Sequence, residues 1–397
     1  MAQIALSVGQ KRKGWDFMLR EQSRVRDIFG LTRGVYRDGT MQKNSFITTK
    51  KADPGEIKRT VSLIKDLVGA GRTGSQDLLG FEEVQATQEY AIFADELKHG
   101  VPYEKYGVGA FSKDPYKFIS QINGQLADWH MKQEGRRIRE ALCNKFDFTL
   151  VSSTTQTGLT ASNQYPNPNI FVVGRYAGAQ PVYSATIATY ATNVNTAVGT
   201  PGTYGSSLAI PTDLSFMDEI SEWATTNRTI QGISGMGTDT MYVLTVPTHT
   251  VTKLYKLLSL VQQYTSSDAA LKGSLGRVYR NLIVVEDQKA PRCAVTGASL
   301  TFSYWGVTDG RAAAAATTAD VGFLLGAEAL IEFVFEDLHY ETETQSYGGK
   351  VGTGAFRTNG FNRVDWDDIS DNGSGSFDVN SDNRRNYSSA VVLFYSI

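Results

Sequence analysis

The sequence predicts an α+β fold in which one long amphipathic helix lies between strand-rich regions. Three observations predict it. A helical apolar repeat runs from Asp114 to about Phe146, strand-like runs around a glycine cluster precede it between Phe46 and Val101, and mixed helix and strand patterns follow it to the C-terminus. With 397 residues and 41% hydrophobic content, the chain can bury one or two substantial cores.

The helix is the clearest element. Asp114-Pro115 supplies an N-cap and then the residue best tolerated at the first helical position. Ile119, Ile122, Leu126 and Trp129 repeat at helical spacing, and Ile138 and Leu142 resume the stripe after a polar gap. Roughly 28 residues at 1.5 Å rise span about 40 Å, comparable to a domain diameter. Trp129 continues the stripe and is expected to pack inward on a sheet. The opposite face carries Lys117, Asp128, Lys132, Glu134, Arg136, Arg137, Arg139 and Glu140. Asp128/Lys132 and Glu134/Arg137 are spaced to pair, as on an ordinary solvated face, or on one that meets a neighbour in an assembly.

Ahead of the helix, residues 1–45 show alternating charge, several glycines and no sustained periodicity, as in an arm that orders on other surfaces. Val61-Ser-Leu63-Ile64, the glycines Gly69, Gly71, Gly74 and Gly80, and Glu82-Glu83-Val84 then predict a long hairpin. Gly69, Gly71 and Gly74 also satisfy G-x-G-x-x-G, the dinucleotide fingerprint. That chemistry needs a helix opening at the third glycine, and Ser75 to Gly80 meets another glycine within two turns, so the hairpin tip is the better reading.

Behind the helix, Val151 to Pro211 is rich in Thr, Ser, Asn, Gly, Ala and Tyr, with turn signals at Asn167-Pro168 and Pro201-Gly202, and is expected to form surface loops and short strands. Leu214, Met217, Ile220 and Trp223 mark a helix, Met241 to Leu244 a strand, and Val251, Leu254, Leu257, Leu258 and Val261 a further helix. Strand-like runs follow at Leu282 to Val285, from Phe323 into Phe335, and at Ala390 to Phe394.

The formal net charge of -2 conceals an asymmetry. Met1 to Lys51 holds eleven Lys/Arg against four Asp/Glu, whereas Asp320 to Asp382 holds thirteen acids against three bases. Ends of opposite sign favour a contact between the arm of one subunit and the acidic region of the next over specific nucleic-acid recognition, for which no reader motif is present. Met1 to Gln10 lacks the pattern of a signal peptide and no apolar run spans a bilayer, so synthesis in the cytoplasm and no membrane contact are expected. Cys143 and Cys293 stand alone and are expected to be buried thiols. His99, His130, His249 and His339 share no metal-ligand spacing, and His130 is expected to be a structural histidine. Asp368-Ile-Ser370-Asp-Asn372-Gly373 opens like a calcium loop, but Val379 stands where the bidentate Glu belongs. The sequence therefore names no catalytic, cofactor-binding or metal-binding residue and no cofactor.

The order of these elements resembles the major capsid proteins of tailed bacteriophages with the HK97 fold. Gly74 to Glu83, Tyr90-Ala-Ile92 and Glu96 to Val101 are similar to the extended-loop signature of short-tailed phages of the N-four-like and crAss-like groups. Leu275 to Glu286, Phe323 to Ala329 and Tyr347 to Arg357 resemble further strands of that family. The resemblance implies an N-terminal arm over 1–45 and an extended loop with flanks over 46–112. It also implies a peripheral domain with the long spine helix over 113–160 and 331–362, and an axial domain with surface insertions over 161–330 and 363–397. It implies self-assembly as hexamers and pentamers into an icosahedral shell around double-stranded DNA, touched without specificity, in a virion whose portal and scaffolding proteins are further partners. The stretch at 151–211 and the acidic segment at 365–382 have no counterpart there. A tail-tube subunit, which would not need the long helix, and a soluble α/β enzyme are the alternatives from other classes.

Overall fold

The computed structural model describes residues 28–30, 33–35, 46–53, 58–64, 87–104, 115–146, 164–167, 169–175, 178–183, 215–227, 230–234, 240–248, 250–251, 277–279, 281–296, 299–304, 318–345, 350–363, 366–367, 384–385 and 388–394. The Asp114 cap, the glycine-rich hairpin tip, most of the basic arm, the helix expected beyond Val251 and the calcium-like loop lie outside the described residues. The fold is mixed helix and sheet, as the periodicities predict. A helix over Pro115–Cys143, 29 residues and about 43 Å long, joins two sheets.

The first sheet orders its strands as Arg33–Val35, Ile47–Lys51, Leu330–Gln345, Lys350–Arg363 and Asp95–Glu104. Its centre is the long hairpin of Leu330–Gln345 and Lys350–Arg363, whose register shifts twice between Val334 and His339. Such bulges bend a ribbon and strengthen its twist. The second sheet runs Arg277–Tyr279, Leu282–Asp287, Thr240–Pro247, Thr318–Leu325, Ser389–Phe394, Asn169–Arg175 and Gly178–Tyr183. A hairpin of Arg292–Thr296 and Ser299–Ser303 adds to Thr318–Leu325.

Two expectations about the strands need correction. The apolar run from Phe323 into Phe335 is one stretch in sequence but two strands of different sheets, Thr318–Leu325 and Leu330–Gln345. They are separated by a turn in which Glu328 adopts φ 53°. Gly326 makes that turn possible: its N–H donates to Ser388 O at 2.7 Å, and a Cβ on it would collide with Gln231 O. The second correction is in the polar stretch. Asn169–Arg175 is no surface strand, since Ile170, Phe171 and Val173 are buried and it pairs in parallel with the terminal strand. The short apolar run Ile170 to Val173 is the signature of a strand covered on both faces, and the polar residues around it masked it.

The helix changes neighbours along its length. Ile122, Leu126 and Ala127 pack on Leu338, Tyr340 and Ala355 of the first sheet. Ile138, Ala141, Leu142 and Cys143 enter a larger core with Ile47, Leu330 and Phe361 of the first sheet and Val243, Val321, Phe323 and Val391 of the second. On the far side of the second sheet, Phe216, Met217, Ile220 and Trp223 of the expected helix, here Ser215–Glu222 with a π-turn over Trp223–Asn227, cover Tyr242, Leu244, Leu324 and Val392.

Trp129 is half-buried rather than central: its ring stacks on His99 at 4.4 Å, at the margin of the first sheet, and His130 takes the buried position beside it. The line from Ile122 through Leu126 to His130 and Glu134 faces the sheet, and Trp129 lies off that line. Leu126→Ala should therefore cost about 2–5 kcal/mol, and Trp129→Ala about 1–2 kcal/mol because only part of its surface is shielded. Denaturant unfolding of the two variants checks the order; a larger loss at Trp129 would contradict this packing.

Candidate functional site

The polar gap in the helix stripe is where the helix holds the first sheet by charge. Glu134 and Arg137 point into a buried cluster with Arg357 and Asn359 of Lys350–Arg363, Glu332 of Leu330–Gln345, Thr49 of Ile47–Lys51 and Asp95 of Asp95–Glu104. Arg357 donates to Glu134 and, at 2.7 Å, to Glu332. Arg137 donates to Asp95 at 2.6 Å and to Asn359 at 3.2 Å. Glu332, fully buried, also accepts from Asn359 at 3.1 Å and Thr49 at 2.9 Å. One network thus ties the helix to four strands. Buried ions carry a large desolvation cost, and these partners are what offset it. Burial pushes the Asp95 carboxyl up, against the pull of Arg137, and pushes Glu140 up against Arg136, which bonds it at 2.7 Å.

One turn further on, Arg139 reaches the second sheet, making a bidentate pair with Asp287 at 2.7 and 2.9 Å, both side chains nearly inaccessible, and lying 4.9 Å over the Phe29 ring. The helix then ends in a built cap. Arg363, with 0% exposure, donates to the carbonyls of Leu142 at 3.0 Å and Ala141 at 3.4 Å. Asn167 donates its side-chain amide to Leu142 O at 3.2 Å and its backbone N–H to Cys143 O at 2.8 Å. A guanidinium on the last carbonyls satisfies orphan acceptors and opposes the negative end of the helix dipole. Asn167 also bonds Ser389 Oγ, and Asn169 bonds Ser389 O, so the cap is continuous with the second sheet.

The expectation that Glu134, Arg137, Arg139 and Glu140 form a solvated face is therefore overturned. Their charge balance resembles a surface, and their charged partners lie more than forty residues away, except in the Arg136–Glu140 pair. The signal was in the strand: Lys350–Arg363 turns Thr353, Ala355, Arg357 and Asn359 toward the helix and Phe356 away from it.

Two surfaces project from this frame. The predicted hairpin is present as Lys58–Ile64 paired with Thr87–Phe93 over seven residue pairs. Its root crosses the first sheet on the face opposite the helix, where Ile92 packs on Ile331 and Phe333 and a Cβ on Gly360 would collide with Phe93 O. On another part of that face the Phe356 ring lies over Gly354. Across the face, Glu341 is aligned with Gly354 and Gly100, and Glu343 with Gly352. Beside them His339 stacks on Phe356 at 5.7 Å, with Glu336 and Glu341 at 3.5 and 3.9 Å.

His99 stacks on Trp129, His339 lies on the outer face, and His249 is outside the described residues. His130 donates from Nε2 to Ala355 O at 3.0 Å, and burial lowers its pKa to about 4. Cys143 and Cys293 are free, buried thiols in one core; burial pushes Cys293 up to about 12 and Cys143 well above its ordinary value. Among the described residues no group of three His, Cys, Asp or Glu is placed to hold a metal ion, and no helix is long and apolar enough to cross a membrane.

No protein-family model matches the sequence, and no curated protein matches it. Solved structures do. The capsid of Ralstonia phage GP4 superposes with a TM-score of 0.57 at 13% identity, over 92% of this chain and 90% of that one. The head structure of Helicobacter pylori bacteriophage KHP40 gives 0.55 at 13%, over 93% and 92%. The capsid asymmetric unit of cyanophage Pam1 gives 0.56 at 14%, over 100% and 99%. The likeness is one of fold, and it runs the length of the chain.

Removing one ion of a buried pair strands the other. Arg139→Met should cost about 3–5 kcal/mol, and Arg139→Met with Asp287→Leu should recover most of it. Chemical unfolding of the three proteins checks this; a double variant as weak as the single one would contradict the pairing. His130 gives a pH test. Its folded pKa of about 4 lies below the usual 6.5, so the unfolded chain takes up the proton first. Its contribution is complete above pH 6.5 and is lost as pH falls to about 4, amounting to about 3 kcal/mol. His130→Gln should lose correspondingly less stability over that window, measured as unfolding free energy against pH.

Proposed function

We propose that this chain is the major capsid protein of a tailed bacteriophage, assembling through hexamers and pentamers into an icosahedral shell around double-stranded DNA. The observation that carries the reading is the full-length likeness of fold to three phage capsid or head structures. The role is structural rather than catalytic. The resemblance of Gly74 to Glu83 and of Leu275 to Glu286 to short-tailed N-four-like and crAss-like phages supports a place among them.

In this reading the helix Pro115–Cys143 is the spine, the first sheet belongs to the peripheral domain at 113–160 and 331–362, and the second to the axial domain at 161–330 and 363–397. Residues 46–112 hold the extended loop, and 1–45 the arm. A two-stranded ribbon is marginal alone, so the hairpin Lys58–Phe93 would be stabilised by lying across a neighbouring subunit. Specificity would come from many repeated weak contacts in closed symmetry. Portal and scaffolding proteins are the further partners of such a shell, and contact with the packaged DNA would be without sequence preference. A soluble enzyme is disfavoured by the same likeness, and a tail-tube subunit gains no observation of its own.

Electron microscopy of the expressed protein tests the proposal: closed shells support it, tubes favour a tail protein, and discrete particles with no polymer contradict assembly. Deleting Gly69 to Gly80 at the hairpin tip should abolish shell formation while leaving a folded subunit by circular dichroism. Shells of unchanged yield from that variant would contradict the loop assignment.

A further inference from the structure

The chain has two cysteines, Cys143 and Cys293, and the fold brings both into one core. Cys143 is the last residue of the helix, and its carbonyl accepts the Asn167 N–H in the cap. Cys293 lies on Arg292–Thr296, in register with Ala319 of Thr318–Leu325. All three side chains are inaccessible, in the core that the helix end shares with both sheets. The Tyr304 hydroxyl is shielded from solvent with them and faces Cys143, without a well-formed hydrogen bond among the described residues. Charge on either thiol acts on that hydroxyl, and charge on Cys293 acts on Cys143, so the three polar groups share one apolar enclosure. A thiol packs as a small hydrophobe. Packing alone does not call for two of them beside a hydroxyl.

We propose that a peroxide converts these thiols to a Cys143–Cys293 disulfide, which turns the hydrogen-bonded joint between the helix and the second sheet into a covalent one. The two sulfurs take different roles. Burial pushes both thiols up, Cys293 to about 12, so in the closed core they stay protonated and unreactive. Of the two, Cys143 has groups that favour its thiolate: the Tyr304 hydroxyl and the Arg363 guanidinium that caps the helix. A brief opening of the joint therefore presents Cys143 as the attacking sulfur. Its thiolate takes one peroxide oxygen, the O–O bond breaks, and the hydroxide released recovers the proton that Cys143 gave up, leaving a sulfenic acid and water. The Cys293 sulfur then attacks the Cys143 sulfur, the S–O bond breaks, and the hydroxyl leaves as water with the Cys293 proton. Two electrons pass from the sulfurs to the peroxide, which ends as two waters. The bond closes a loop of about 150 residues, a length at which a cross-link removes much freedom from the unfolded chain. It concerns the single subunit and does not depend on the capsid reading.

The test uses the full chain, purified in reductant, freed of it and held in hydrogen peroxide at alkaline pH. Thiols titrated after denaturation should fall from two per chain to none. Peptide mass spectrometry without reduction should find the Cys143 and Cys293 peptides joined within one chain. The unfolding midpoint should rise by roughly 5–10 °C and return when reductant is added. In Cys293→Ser the second sulfur is missing, so dimedone should trap a sulfenic acid on Cys143, whereas Cys143→Ser should give roughly tenfold less adduct on Cys293. The joined peptide is read in the unaltered chain, so a variant that fails to fold leaves the test intact. Thiols that survive the treatment overturn the inference, as do thiols lost to sulfinic or sulfonic acid with no joined peptide, and linkage only between chains. Joined peptides that form only once denaturant has unfolded the chain overturn it too. Equal dimedone yields in the two variants overturn the order of attack.

Discussion

The structure depends on the pairing of charges along the second half of the helix Pro115–Cys143. An isolated buried ion costs several kcal/mol, and this helix buries Glu134, Arg139 and Glu140 with Arg137 nearly so. That is tolerable only while Arg357, Asp95, Asn359 and Asp287 stand opposite them and Arg136 pairs with Glu140. The same pairs fix geometry, because a bidentate Arg–carboxylate bond restricts angle as well as distance. An apolar contact would let the helix slide or roll on the sheets; Arg137 on the first sheet and Arg139 on the second hold it at two points two residues apart.

The Arg363 cap extends the constraint. It comes from the last residue of the long hairpin, ends the helix, and lies beside Asn167 and Ser389, which belong to the second sheet and its approach. Sheet, helix end and terminal strand therefore meet in one hydrogen-bonded joint, with the Leu142, Phe323 and Val391 core around it. The consequence is mechanical. The hairpin root at Ile92 and Gly360 and the outer face around Phe356 sit on a sheet whose orientation is set through that joint, so contacts made far apart on the chain act on one body.

Much of the fold was legible in the sequence, and the part that was not has a common cause. The long helix, the hairpin at Val61 and Tyr90, and the strands at Met241, Leu282 and Ala390 carry local periodicity, which is what sequence patterns record. The fate of Arg137, Arg139 and Glu134 was not legible, because a charge paired across 42, 148 or 223 residues looks like a charge paired with water. The same limit hid the division of Phe323 to Phe335 between two sheets, which depends on the Gly326 turn seating against Gln231 and Ser388. Of the candidate surfaces, the hairpin was foreseen, while the alignment of Glu341, Gly354 and Gly100 appears only once the strands are in register.

If the joint makes the two sheets one unit, they should open together. Native-state hydrogen exchange reads this directly, through the amides of residues 122–143, Leu330 to Val334, Phe361 to Arg363 and Ala390 to Phe394. The account predicts one protection class for all four segments, with exchange through global unfolding and a shared dependence on denaturant. Two classes, with the first sheet and the helix start exchanging at a lower free energy than the terminal strand, would contradict it.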